Sequence, residues 1–213
     1  VGASLEQQAP QSVPLVERSE SRFAREQFIL LMQLAYSGEL GAAQAYVGHR
    51  HSLRKQSERA ELGKIIRDEL RHRHNIIQIL AGLGARPSER RERKMAGVGW
   101  TISVFCHLGG WFFPMYGAAM LEAQNIVEYE LAARLAHNAD LDAYVETCLE
   151  MAEVEWDHEL YFRSQATSHF LWRLMPKWTP PPPRAAIRRA FADFVATSDK
   201  RTLPPVHVPW LIR

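Results

Sequence analysis

The sequence predicts an all-α protein, a four-helix bundle with a hydrophobic crossover segment between its second and third helices and a C-terminal extension. Three observations carry this. Apolar residues recur over four long stretches at the three-, four- and seven-residue steps that define one helix face. Two of those stretches carry Glu-x-x-His in mid-stripe, at Glu69–His72 and Glu155–His158. The other two carry a single glutamate in the same place, Glu39 and Glu122.

Bulk properties set the frame. The 213 residues, 46% hydrophobic and 23% charged, suffice for one sizeable core. A net charge of +2 argues against nucleic acid as a partner. Cys106 and Cys148 form no C-x-x-C, which excludes a zinc ribbon and a rubredoxin-type iron site. The start is polar (Glu6, Gln7, Gln8, Gln11) and lacks the basic-then-apolar order of a signal peptide, so a cytoplasmic location is expected, with peripheral contact on the inner face of a membrane.

Residues 1–20 read as a polar N-terminal arm, and 21–170 as the bundle. The first helix is expected over Ser21–Arg54, with Phe28, Leu31, Met32, Ala35, Ala42, Ala43, Tyr46 and Val47 on its buried face and Glu39 interrupting it. Gly38, Gly41, Ala42 and Ala43 would let a neighbouring helix approach closely. The second helix is expected over Ser57–Ala81, ending at Gly82 and Gly84. Its rows are Leu62, Glu69, Ile76, Leu83 and Ile65, His72, Ile79. Arg86–Lys94, with its proline and alternating charges, reads as a solvated loop.

Met95–Leu121 carries no formal charge and is long enough for a membrane span, which takes about 20 apolar residues. Gly97, Gly99, His107, the Gly109-Gly110 pair and Pro114 break it, however. It reads as a crossover (95–113) followed by the start of the third bundle helix, Pro114–His137. That helix buries Met115, Ala118, Ala119, Glu122, Ile126, Tyr129 and Ala133, while Glu128 and Glu130 fall off the stripe. After a turn at Asn138–Asp140, a fourth helix over Leu141–Phe170 presents Leu141, Cys148, Glu155, Phe162 and Tyr144, Met151, His158, Gln165. Residues 171–213 read as a Pro-rich linker (Pro180–Pro183), a short amphipathic helix over Arg184–Ala196, and an arm with Pro204, Pro205, Pro209 and Trp210.

Four buried carboxylates and two imidazoles, one Glu from each of two helices and one Glu-x-x-His from each of the others, match the ligand pattern of ferritin-like di-iron and di-manganese bundles. Unneutralised, four such carboxylates would repel one another, and a pair of divalent ions removes that cost. The expected metal ligands are therefore Glu39, Glu69, His72, Glu122, Glu155 and His158, holding two iron ions, with manganese as the alternative. Tyr46 and Tyr129, on the faces of Glu39 and Glu122, are candidates for hydrogen bonds to the ligands or for the substrate pocket. His49, His51, His74, Glu61 and Glu159 are expected on the solvent face, and His107 as a satisfied buried histidine.

Gly38-Glu39-Leu40-Gly41-Ala42 with Tyr46 and Gly48, Glu69-Leu70-Arg71-His72, Ala85-Arg86-Pro87, the apolar crossover, Glu122 with Tyr129, and Glu155 with His158 together resemble the demethoxyubiquinone hydroxylase family, the di-iron monooxygenases of ubiquinone biosynthesis. The resemblance covers Leu30 to Arg163. Tyr36-Ser37 stands where that family has Asp-His, and the chain runs on past the bundle where that family ends. The resemblance implies hydroxylation of a hydrophobic, quinone-like or aromatic substrate with dioxygen, and a crossover (Trp100–Phe113) lining the substrate's entry. Electrons would come from an external donor, since no flavin or nicotinamide motif is present. A homo-oligomer is compatible with this reading. Competing expectations are an iron-oxidising or peroxide-scavenging protein on the same scaffold, and a non-enzymatic bundle with a vestigial site.

Overall fold

In a computed structural model that describes residues 15–197, six α-helices and two short 3₁₀ turns make up the regular structure, with no strand among the described residues. The helices are α1 (Leu15–Ser52), α2 (Gln56–Gly82), α3 (Glu89–Leu108), α4 (Phe112–Asn138), α5 (Val145–Thr167) and α6 (Ala185–Thr197). The 3₁₀ turns are Asp142–Tyr144 and Phe170–Leu174. The protein is all-α, as expected. The stretch 1–20 expected as an N-terminal arm overlaps α1, which already includes residues 15–20. Residues 1–14 and the expected C-terminal arm with Pro204, Pro205, Pro209 and Trp210 lie outside the described residues.

Two apolar clusters define how the helices run. One joins Phe28, Leu31 and Met32 of α1 to Ile76 and Leu80 of α2, Ala132 and Leu135 of α4, and Cys148 and Met151 of α5. The other joins Tyr46 of α1 and Leu53, just beyond its end, to Leu62 and Ile65 of α2, Met115 and Ala119 of α4, and Phe162 of α5. Early α1 thus meets late α2, late α4 and early α5, so α1 and α5 run one way and α2 and α4 the other. Two consecutive bundle helices pointing the same way require a return path along the bundle. α3 is that path.

Why α3 can lie so close is written in small residues. A Cβ placed on Gly99 would stand 2.5 Å from the Gly41 carbonyl oxygen, and one on Gly48 would stand 2.5 Å from Ser103 Cα. Gly41 meets Met95, and Cys106 Sγ lies 4.0 Å from the Ala45 carbonyl oxygen. Both chains advance together through these contacts, so α3 runs parallel to α1. The expectation of a close approach around Gly38–Ala43 is met on the α3 side.

Several sequence expectations are corrected here. Glu89–Lys94 is the first part of α3 and not a solvated loop. Arg73 of α2 explains why: it forms two hydrogen bonds to Glu92 at 2.9 and 2.8 Å, donates to the Tyr36 carbonyl at 2.7 Å and lies over the Tyr36 ring. Glu89 and Glu92 also favour a helix N-terminus. Val47 is exposed, Gly48 is buried where Ser103 of α3 meets it, and His49 is buried against Phe162 of α5. His107 is exposed on the outer side of α3 rather than buried. The apolar stretch is split between α3 and α4 at Gly109-Gly110, and no described helix is long and apolar enough to cross a membrane.

Helix ends follow local chemistry. At the end of α2, Gly84 takes φ +71, and Ala85 N–H and Gly84 N–H return to the carbonyls of Leu80 and Ala81 at 2.8 and 3.0 Å, a closure that favours glycine. Beyond α5 the chain is strapped to the bundle rather than standing off as a spacer. Tyr116 Oη donates to the Pro176 carbonyl and Trp156 Nε1 to the Pro182 carbonyl, each at 2.7 Å. α6 then buries Ile187 in the first apolar cluster, and Arg188 bridges Glu146 and Glu153 of α5.

His49 is buried without a partner for Nε2, stacked on Phe162. Burial lowers its pKa from 6.5 to about 4. Between those values the unfolded chain binds a proton that the folded chain refuses, so stability falls as the pH drops from about 6.5 to 4. The loss should approach about 3 kcal/mol at pH 4, and His49→Leu should remove it, as read by denaturant unfolding at both pH values. A second prediction tests the α1–α3 contact. Gly97 has open space around it, so Gly97→Ala should stabilise the helix by about 0.5–1 kcal/mol. Gly99→Ala, two residues on, should instead destabilise by about 1–3 kcal/mol, because the clash exceeds the helix-propensity gain.

Candidate metal centre

Each bundle helix changes character in its middle. On α1 the buried run passes from Ala35 to Ala42 through Glu39, and on α4 from Ala119 to Ile126 through Glu122. On α2 it passes from Ile65 to Ile76 through Glu69 and His72, and on α5 from Ala152 to Phe162 through Glu155 and His158. The i, i+3 spacing puts each Glu and His of a pair on one helix face. All six expected ligands are buried and meet in a single layer between the two apolar clusters.

They form two overlapping groups. Glu39, Glu69, His72 and Glu155 offer ligand atoms all within 4.8 Å of one another, and so do Glu69, Glu122, Glu155 and His158. Glu69 and Glu155 belong to both groups. Each group adds one further glutamate and one imidazole. Such a set of oxygen and imidazole donors could hold two divalent ions.

The polar atoms of the layer fit that requirement. Both oxygens of Glu69, Glu39 Oε2, Glu155 Oε1 and both nitrogens of His72 are enclosed without a hydrogen-bond partner. His72 Nδ1 lies 3.0 Å from Glu155 Oε1, close enough to attract but without hydrogen-bond geometry. Buried polar atoms are rarely left so, since each costs about 1–3 kcal/mol. Cations between them would answer the whole group at once.

Protons hold the metal-free layer together. Burial and then the Glu155 charge push Glu69 and Glu122 well above the usual carboxylate range. Burial opposes a charge on His72, but Glu155 and Glu39 outweigh it and lift the ring to about 9. His158 is raised in the same way by Asp68, Glu155 and Glu69. Glu155 is itself lowered, because His72 and His158 outweigh its burial. Metal uptake therefore has to displace protons.

Supporting contacts cross between helices in a reciprocal pattern. Tyr46 of α1 donates a short hydrogen bond to Glu122 of α4, and Tyr129 of α4 donates one to Glu39 of α1. Each tyrosine lies seven residues after a glutamate of its own helix. Burial first, then the adjacent carboxylates, raise both phenols well above 10, so both hydroxyls stay protonated donors. Asn125 Nδ2 adds a bond to Glu122 at 2.8 Å.

Sequence reasoning missed three residues here. Asp68 Oδ2 lies 3.3 Å from His158 Nε2, leaving Nδ1 turned to Glu69 and Glu155 at 3.3 Å. A carboxylate behind an imidazole is a common way to fix a metal-binding ring. Its signal was its place next to Glu69 inside the motif. Glu159, expected in solvent, is fully buried, bonded by Arg163 at 2.8 Å and by Trp178 Nε1 at 3.2 Å from the C-terminal strap. Glu128, left off the stripe, faces the α3 side, in a cavity described below. His51 and His74 are exposed and Glu61 is partly exposed, in line with the sequence reading.

Compared with protein-family models, with curated proteins and with solved structures, the chain matches none. The fold and the buried ligand layer are therefore the basis for assigning a class.

A buried acidic layer that could hold ions should be a liability without them. Metal-free Glu69→Leu is expected to be more stable than the parent chain, by about 1–3 kcal/mol, because it removes two buried carboxyl oxygens that have no partner. Ferrous or manganous ion at about a hundredfold excess over its Kd should stabilise the parent by about 2.7 kcal/mol and Glu69→Leu by none. Thermal melts with and without metal check both.

Proposed function

We propose that this chain is a di-iron carboxylate monooxygenase of ferritin-like architecture that hydroxylates a hydrophobic, quinone-like or aromatic substrate with dioxygen and electrons from an external donor. The observation that carries the reading is an apolar cavity set against the ligand layer. It has a volume of about 280 Å³, lies between α1, α3 and α4, and reaches Glu39 and Tyr129 at the layer. Leu34, Ala42, Met95, Val98, Ile102 and Leu121 contribute its apolar wall. An oxidase acting on iron alone has no use for an apolar chamber beside its ligands, whereas an enzyme acting on an organic molecule requires one.

The return path of α3, the single long crossover and the ligand set support the ferritin-like class. The sequence resemblance around Gly38–Ala42 and Glu69–His72 supports the quinone-like substrate. Bound ferrous ions would supply electrons and open coordination positions at which dioxygen is activated. The chain's own residues orient and exclude. Tyr129 and Tyr46 fix Glu39 and Glu122 through their hydroxyls, and Asp68 fixes the His158 ring. The apolar wall keeps water from the reacting region and holds the substrate next to Glu39. Trp100, Phe105 and Leu108 remain exposed on the outer side of α3, which supports peripheral contact with the membrane in which such a substrate dissolves.

Iron-loaded protein, a chemical reductant and an alkylated quinol should give an oxygen-dependent product heavier by one oxygen atom. Glu69→Ala should reduce it by more than about 100-fold, since even residues that only orient ligands cost 10–100-fold. Rapid iron oxidation with no organic product would favour the iron-oxidising reading, and a chain that takes up no iron would favour the vestigial one. Mass spectrometry under ¹⁸O₂, alongside metal analysis, separates the three.

A further inference from the structure

The cavity wall contains one group that neither packing nor the ligand layer accounts for. Glu128 belongs to none of the metal-ligating groups, yet it lines the cavity, and its Oε1 is shut off from solvent with no hydrogen-bond partner. Asn125, which lines the same space, gives its amide N–H to Glu122 instead. Burial, then the charges of Glu39 and Glu155, push its carboxyl up to about 8, so at neutral pH it stands mainly as the acid, with an O–H to donate and a carbonyl oxygen to accept.

An unanswered carboxyl oxygen in a largely apolar wall is costly, and hydrophobic substitution there would remove the cost without disturbing the fold. The cost disappears equally if a ligand brings the missing partner. Leu121, Asn125 and Glu128 lie at i, i+4 and i+7 on α4, so they form one row facing the cavity, beside the row that carries Glu122 and Tyr129. Glu128 thus stands next in sequence to the tyrosine that holds Glu39, and across from Met95, Val98 and Ile102 of α3.

We propose that Glu128 is the polar anchor of this cavity, hydrogen-bonding the hydroxyl or carbonyl oxygen of an otherwise apolar ligand whose body lies against α3. The inference deepens the monooxygenase reading, because it says which part of the substrate is held and by what. A neutral acid answers both a phenolic hydroxyl and a quinone carbonyl. A bare hydrocarbon would leave it unpaired.

The test is binding to the full chain without turnover, using manganese-loaded protein, no reductant, and two probes of equal length: a 4-alkylphenol and the corresponding alkylbenzene. The parent should bind the phenol about tenfold more tightly than the hydrocarbon, the worth of one buried hydrogen bond. Glu128→Leu should bind the two alike with unchanged manganese content, and Glu128→Gln, which keeps a donor and an acceptor, should restore most of the preference. Equal binding of both probes by the parent, binding of neither, or an unchanged preference in Glu128→Leu overturns the proposal. The outcome is separable from the activity. Discrimination by Glu128 without any hydroxylation leaves the anchor standing and removes the monooxygenase, while hydroxylation with kcat and KM indifferent to Glu128→Leu does the reverse.

Discussion

A layer of four glutamates and two histidines, sealed between two apolar clusters, is the constraint to which the rest of this structure answers. Nothing about helix packing asks for it. Each of the four bundle helices would be more stable with leucine or alanine in its middle, since isolated buried charge is among the costliest features a core can contain. The apolar clusters above and below must therefore carry the fold, and they do so with closely matched pairs of helix halves. The tyrosines that cross from α1 to α4 and back then tie the outer glutamates to opposite helices. Displacing one helix would break two ligand positions at once.

The second determinant is topological. Because α2 and α4 run in the same direction, the chain has to travel the length of the bundle between them, and it does so as a helix pressed backbone to backbone on α1 through Gly41, Gly48 and Gly99. The contact is tight at the glycines, while the cavity opens beside it where Leu34, Met95 and Ile102 meet Leu121 and Glu128 of α4. The same helix that solves the connectivity problem thus makes the chamber's outer wall. Its exposed aromatic side remains free of the bundle.

How much of this was legible in the sequence depends on what one helix can reveal. The six layer residues stood out because a polar residue inside a seven-residue apolar row has few harmless explanations, and all six are where that row puts them. Tyr46 and Tyr129 were legible for the same reason. What failed were residues buried by a second neighbour. Gly48 is covered where α3 packs on α1, Glu159 is covered by Trp178 from the far C-terminal strap, and Glu128 faces a helix whose first turns looked like a charged loop. A single-stripe pattern carries no signal for a second covering surface. The arginine that makes helix of that loop, Arg73, sits on another helix altogether.

The layer is not symmetric. Asp68, just before Glu69, sits behind the ring of His158. In the other half the residue just before Glu155 is Val154, which lines a solvent-facing cleft together with His72, and His72 Nε2 has no partner. Two ions seated here would meet imidazoles of unequal electron-donating strength, one backed by a carboxylate and the other enclosed with none behind it. The two positions would accordingly differ in affinity for a divalent ion and fill one at a time.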